Sequence, residues 1–168
     1  MLAVSSMSSS RETATTKSSS LIPSTFILAR SSRYHKCALF NVLPSDLTNE
    51  SAFAGEKCRL FYGDVVLDEY IENGSSISRY ILKFEWNRGG SRRRNVFCHT
   101  EVMDNVHKWN ETITEWSSER FRIMMQCSDD RYILLELQIC ETSEDRKFRD
   151  VLCSISEEFE IWAELMDD

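Results

Sequence analysis

No stretch of this chain approaches the roughly 20 consecutive apolar residues that a membrane-spanning helix needs, so no transmembrane segment is expected. A basic surplus is also missing, since 20 Lys and Arg stand against 27 Asp and Glu, a formal net charge of −7. Binding to DNA or RNA rests on an excess of Lys and Arg that neutralises phosphate, so no nucleic-acid partner is expected. The chain has no Cys-x-x-Cys pair, no Gly-rich phosphate loop, and no GxSxG or HExxH motif. Zinc sites need paired ligands on tight turns, and only His35-x-Cys37 comes near that spacing, with no second pair to answer it. Nucleophilic catalysis needs a Cys or Ser with a base and an orienting group. Cys98 and His99 are adjacent, and adjacent strand residues point to opposite faces. The expectation is a chain with no catalytic residues, no metal and no cofactor, and hence not an enzyme.

What is present divides unevenly. Residues 1–33 hold eleven Ser and four Thr with one acid, too few apolar side chains to fold alone. Through residue 35 the net charge is +3, which leaves −10 on residues 36–168. Length and the 42% hydrophobic content allow one domain of ordinary size. We therefore expect a disordered Ser/Thr-rich tail over residues 1–33 and a domain over 34–168. The tail's composition is shared with organelle transit peptides. Its most apolar piece, Leu21 to Ala29, is interrupted by Pro23, Ser24 and Thr25, a poor layout for a signal peptide. Cys37, Cys58, Cys98, Cys127, Cys140 and Cys153 are far apart, consistent with thiols in a reducing compartment. A cytoplasmic location is expected, with organelle targeting through residues 1–33 as the alternative. Sequons at Asn49, Asn73 and Asn110 keep open a small secreted or organellar protein of unreadable function.

Within the domain, periodicity points to strands and then one helix. Tyr34 to Val42 is expected to form the first strand. Cys58 to Tyr62 and Val65 to Tyr70 follow, with Gly63-Asp64 between them as a hairpin dipeptide. Ser78 to Trp86 is the clearest strand, with Tyr80, Leu82, Phe84 and Trp86 on one face, and Asn95 to Met103 is its expected partner. Phe121, Ile123, Met125 and Cys127 alternate, as do Ile133, Leu135, Leu137 and Ile139. Phe148, Leu152, Ile155, Phe159, Trp162 and Met166 then recur at helical spacing. Thr142 is placed to cap that helix, with Asp145 three residues on. The fold class is α+β: a curved antiparallel sheet or small barrel of six to seven strands, closed by a carboxy-terminal amphipathic helix.

The order Phe121-Arg122-Ile123, Arg131-Tyr132-Ile133-Leu134 and then Ser156 to Leu165 resembles the end of a pleckstrin-homology domain. Such domains finish with two strands and a helix carrying a tryptophan, the position Trp162 matches. The connection Glu141 to Ile155 is longer than usual for them. The resemblance implies a non-catalytic adaptor that binds a protein or peptide partner, or an anionic membrane lipid. It also implies a headgroup site on a basic loop between early strands. Here Arg88, Arg92, Arg93 and Arg94 crowd the turn of the best-defined hairpin, and Lys83 lies on the strand before it. Clustered guanidinium groups take phosphate bidentately, so these five residues are the expected ligand site. A second resemblance, of Trp109-Asn110-Glu111-Thr112 to a stretch that opens a strand in C2 domains, implies a calcium-independent membrane-binding alternative.

Overall fold

The computed structural model describes residues 25–42, 58–86, 95–128 and 131–166. Its elements are β1 (Phe26–Asn41), β2 (Arg59–Glu72), β3 (Ser78–Glu85), β4 (Val96–His99), α1 (Val106–Thr112), β5 (Ile113–Ser117), β6 (Arg120–Ser128), β7 (Arg131–Ile139) and α2 (Thr142–Met166). The seven strands run antiparallel in the order β4-β3-β2-β1-β7-β6-β5. A further pairing, His99 with Gln126, joins β4 to β6 and closes the sheet into a ring. β5 and β4 therefore share one edge of β6, β5 along its first half and β4 near its end.

Alternation decides what the ring encloses. Leu39, Phe61, Val65, Leu67, Tyr80, Leu82, Phe84, Phe121, Ile123, Met125, Leu135 and Leu137 all turn inward and are buried. At about 1.5–3 kcal/mol for each fully buried large apolar side chain, this layer dominates the stability. Strand direction gives the barrel two unlike ends. The connections 43–57, 87–94 and 129–130 all leave from one end, because β1, β3 and β6 finish there. α2 covers the other. Phe148 meets Tyr34 and Phe121 edge-on, at centroid distances of 4.9 and 5.2 Å. Phe159 meets Tyr80 and Trp109 at 5.6 and 6.0 Å.

Several local expectations are corrected. β1 begins at Phe26 rather than Tyr34, so residues 26–33, grouped with the tail by composition, belong to the sheet. The reason is the partner: Phe26 to Tyr34 pair with β2 from Glu72 back to Val65, and backbone hydrogen bonds are indifferent to the Ser and Arg side chains. A bulge between Tyr34 and Cys37 holds Lys36 at φ 56°, and β1 takes up β7 from Cys37 onward. Gly63-Asp64 is not a turn, since β2 runs through it unbroken. A Cβ at Gly63 would stand 2.5 Å from the Glu85 carbonyl oxygen and 2.6 Å from the Phe61 ring. Glycine there permits close approach of chain and ring, the commoner meaning of glycine inside a strand.

Trp109 to Thr112 is helical rather than the opening of a strand, which removes the C2-like feature from that stretch. The Asn105 side chain caps α1 by accepting from the Lys108 N–H, and Trp109 is buried. Thr142 is the first residue of α2 instead of its cap, and Asp145 pairs forward with Arg149 at 2.8 Å. The buried face of α2 is Phe148, Ile155 and Phe159, with Val151 and Leu152 partly covered. Trp162 is only half-buried, and Met166 is exposed. Cover thins along the last turn and a half, where Ile161, Leu165 and Met166 are exposed.

Candidate interaction surface

The loop end of the barrel carries apolar side chains that the core does not cover. Phe61, at the start of β2, is buried and touches Phe84, Trp86 and Phe97 at centroid distances of 5.8, 4.9 and 5.1 Å. Phe97 stacks on Phe61 at 25° and is 40% exposed. Val96 beside it is 48% exposed, and Leu60 and Tyr62 on β2 are 43% and 46% exposed. Arg59 lies over the Tyr62 ring at 5.3 Å, a cation–π contact. Ile133, expected inward by alternation, is also exposed because it stands at this open end. A rim of large apolar groups at one end of a domain marks a contact surface more often than chance.

Of the expected ligand residues, Arg88, Arg92, Arg93 and Arg94 lie outside the described residues. The described chain resumes at Asn95, whose carbonyl accepts from the Trp86 N–H, so the connection that carries those arginines springs from the Trp86/Phe97 rim. Lys83 is described, and lies on the outer face of β3. Its ammonium donates to Asp68 Oδ2 at 2.6 Å and to the Tyr70 hydroxyl at 3.2 Å. Burial pulls its pKa down, but the bonds to Asp68 and Tyr70 outweigh that and leave it above the ordinary lysine value. Lys83 is therefore engaged with its own sheet.

That outer face forms an ionic lattice. Arg33 donates to Asp64 at 3.0 Å and to Glu85 at 2.6 Å, and His35 Nδ1 lies 3.0 Å from Asp64. Asp64 and Asp68 are buried by these partners. Sequence reasoning missed the lattice because its members come from three strands, and only the β1–β2–β3 register aligns them.

A recess of about 390 Å³ lies between α1 and the outer faces of β6 and β7, lined by Glu101, Lys108, Glu111, Thr112, Met124 and Tyr132. Glu101 accepts from Lys108 at 2.6 Å and from the Tyr132 hydroxyl at 2.9 Å, bonds that hold its carboxyl below the ordinary range. No group of three or more His, Cys, Asp or Glu among the described residues is arranged to hold a metal ion. Cys37 is buried and donates to the Tyr34 carbonyl while His35 faces Asp64, so that pair does not converge. Cys98 packs inward against the core, and His99 lies opposite Lys83 on the outer face.

Strand order, ring closure and the terminal helix together define a pleckstrin-homology-like topology within the α+β class. No family model, no curated protein and no solved structure matches the chain. No helix among the described residues is long and apolar enough to cross a membrane.

Proposed function

We propose that this is a non-catalytic interaction domain, distantly of the pleckstrin-homology kind, that binds an anionic lipid surface through the loop end of its barrel. The observation that carries the reading is the exposed pair Val96 and Phe97, which follows Arg92-Arg93-Arg94-Asn95 directly in sequence, with Leu60 and Tyr62 exposed near the start of β2. Apolar side chains next to guanidinium groups suit an interface where headgroup phosphate lies just above acyl chain. The domain's net negative charge opposes such binding at long range, so attraction has to be local. Salt screens exposed charges over about 10 Å at roughly 0.1 M, so affinity falls steeply as ionic strength rises.

The test is co-sedimentation with vesicles of phosphatidylcholine alone or with added phosphoinositide. Wild-type protein is expected on the anionic vesicles at low salt. Replacing Arg92, Arg93 and Arg94 with Ala is expected to release it while thermal unfolding stays unchanged. Wild-type protein that ignores phosphoinositide vesicles at low salt would refute the lipid reading and favour a peptide partner for the same rim.

A further inference from the structure

The ring of strands is joined at its weakest point by one residue pair, His99 with Gln126, and a cysteine flanks that pair on each strand. β4 and β6 run antiparallel, so the position before His99 lies opposite the position after Gln126. Those positions are Cys98 and Cys127. Residues directly opposed across an antiparallel pair have Cα atoms about 4.5–5.5 Å apart, inside the span of about 4.4–6.8 Å that a disulfide bridges. The β6–β7 register also shifts between Gln126 and Ser128, leaving Cys127 out of step with β7 and its backbone less constrained on that side. We propose that Cys98 and Cys127 are a disulfide-forming pair that covalently closes the barrel seam.

The other cysteines are not so placed. Cys37 and Cys140 are near neighbours in the β1–β7 ladder. Cys37 points into the core, where it donates to the Tyr34 carbonyl, while Cys140 is exposed. Cys153 lies on the exposed face of α2 beside Glu157, and Cys58 precedes β2. All six carry thiols in this structure.

The two thiols of the pair differ in a way that orders the chemistry. Cys127 is exposed and meets an oxidant first. With oxidised glutathione, the Cys127 thiolate attacks one sulfur, the S–S bond breaks, and one glutathione leaves as thiolate. Cys98 then loses its proton to solvent and attacks the Cys127 sulfur, expelling the second glutathione. Two cysteines lose two electrons, and glutathione disulfide gains them as two thiols. Burial, with the nearby Cys127 adding to it, pushes the Cys98 thiol up to about 12. Ring closure is therefore the slow step, and a mixed disulfide on Cys127 precedes it. The proposal is independent of what the loop end binds.

The experiment incubates the full chain with oxidised glutathione, without denaturant, then blocks remaining thiols by alkylation and maps cross-links by peptide mass spectrometry. The expected product is a Cys98–Cys127 link in at least severalfold excess over any other, preceded by a glutathione adduct on Cys127 and reversed by dithiothreitol. Cys98→Ser is expected to trap the adduct on Cys127. Cys58→Ser and Cys153→Ser are expected to cross-link at the wild-type yield. A wild-type adduct on Cys127 that persists without closure overturns the proposal. So does a link distribution no different from that of the chain in urea.

Discussion

Phe148 is the residue on which α2 depends, and its truncation gives the sharpest check on how the helix is held. Its ring is fully buried and touches Tyr34 on β1 and Phe121 on β6, so it bridges both sides of the barrel. Replacing a buried Phe with Ala costs about 3–5 kcal/mol from lost transfer energy and the cavity left behind. Each edge-to-face pair adds about 0.5–1.5 kcal/mol, so the upper part of that range is expected for Phe148→Ala. Trp162, half-buried near the end of the helix, is a larger residue but leaves no closed cavity. Trp162→Ala is expected to cost about 1–2 kcal/mol, at the middle of the range for single substitutions. Urea unfolding followed by far-ultraviolet circular dichroism measures both. With a slope near 2 kcal/mol per molar urea, roughly the middle of the usual range, the Phe148 variant's midpoint falls by about 2 M. The Trp162 variant's falls by under about 1 M on the same slope. Equal shifts, or a larger one for Trp162, would refute the packing of α2 described above.

Three further outcomes follow from particular contacts. Gly63→Ala is expected to lower the urea midpoint by the equivalent of about 1–3 kcal/mol, as overpacking does, because the new Cβ meets the Glu85 backbone and the Phe61 ring. An unchanged midpoint would show that β2 and β3 are not so close. Glu101 is held below the ordinary carboxylate range by Lys108 first, then Tyr132. Its contribution is therefore complete at neutral pH and is lost as pH falls through the depressed value. Carboxyl titration by nuclear magnetic resonance is expected to show that low midpoint and its return upward in Lys108→Ala. Oxidation of Cys98 and Cys127 closes a loop of about 30 residues, so the oxidised form is expected to gain up to about 3.6 kcal/mol over the reduced one. A thermal midpoint that does not rise would mean the bond strains the seam.

Legibility followed the range of the interactions involved. β3, β6, β7 and the start of α2 were readable because each buries one face, and burial writes itself into the sequence as alternation or helical spacing. β1 before Tyr34 was not, because its order comes from backbone pairing with β2, which leaves no apolar signature in Leu28-Ala29-Arg30-Ser31-Ser32. Gly63 carried the same local signal as a turn, and only the approach of Glu85 from another strand distinguishes the two. Trp109 was misassigned for a related reason: a seven-residue helix is too short for periodicity, and its tryptophan is buried by Tyr80 and Phe159, both distant in sequence. The stripe on α2 holds through Trp162, which like Leu152 is partly buried, and fails at Met166, since spacing shows which face is apolar but not where the opposing surface ends. At the candidate surface, the arginine cluster was visible as composition. The exposed Phe97 and Val96 next to it were not, because they look like any strand residues until the barrel end is located.

The unequal packing of the connections has a consequence for how freely this domain can change. At the α2 end, α1 and the β5–β6 turn are tied into packing, through Phe148, Phe159, Trp109 and Arg149, which bonds the Ser118 carbonyl. Substitutions there are felt by the whole core. The β2–β3 turn is less constrained: a Cβ at Gly74 would meet nothing within 4 Å. Doubling the length of a flexible connection costs only about 0.6 kcal/mol in closure entropy. New recognition sequences can therefore be inserted at that turn, over residues 73–76, at little cost to folding, which makes it the natural place to graft a foreign epitope or a second binding loop.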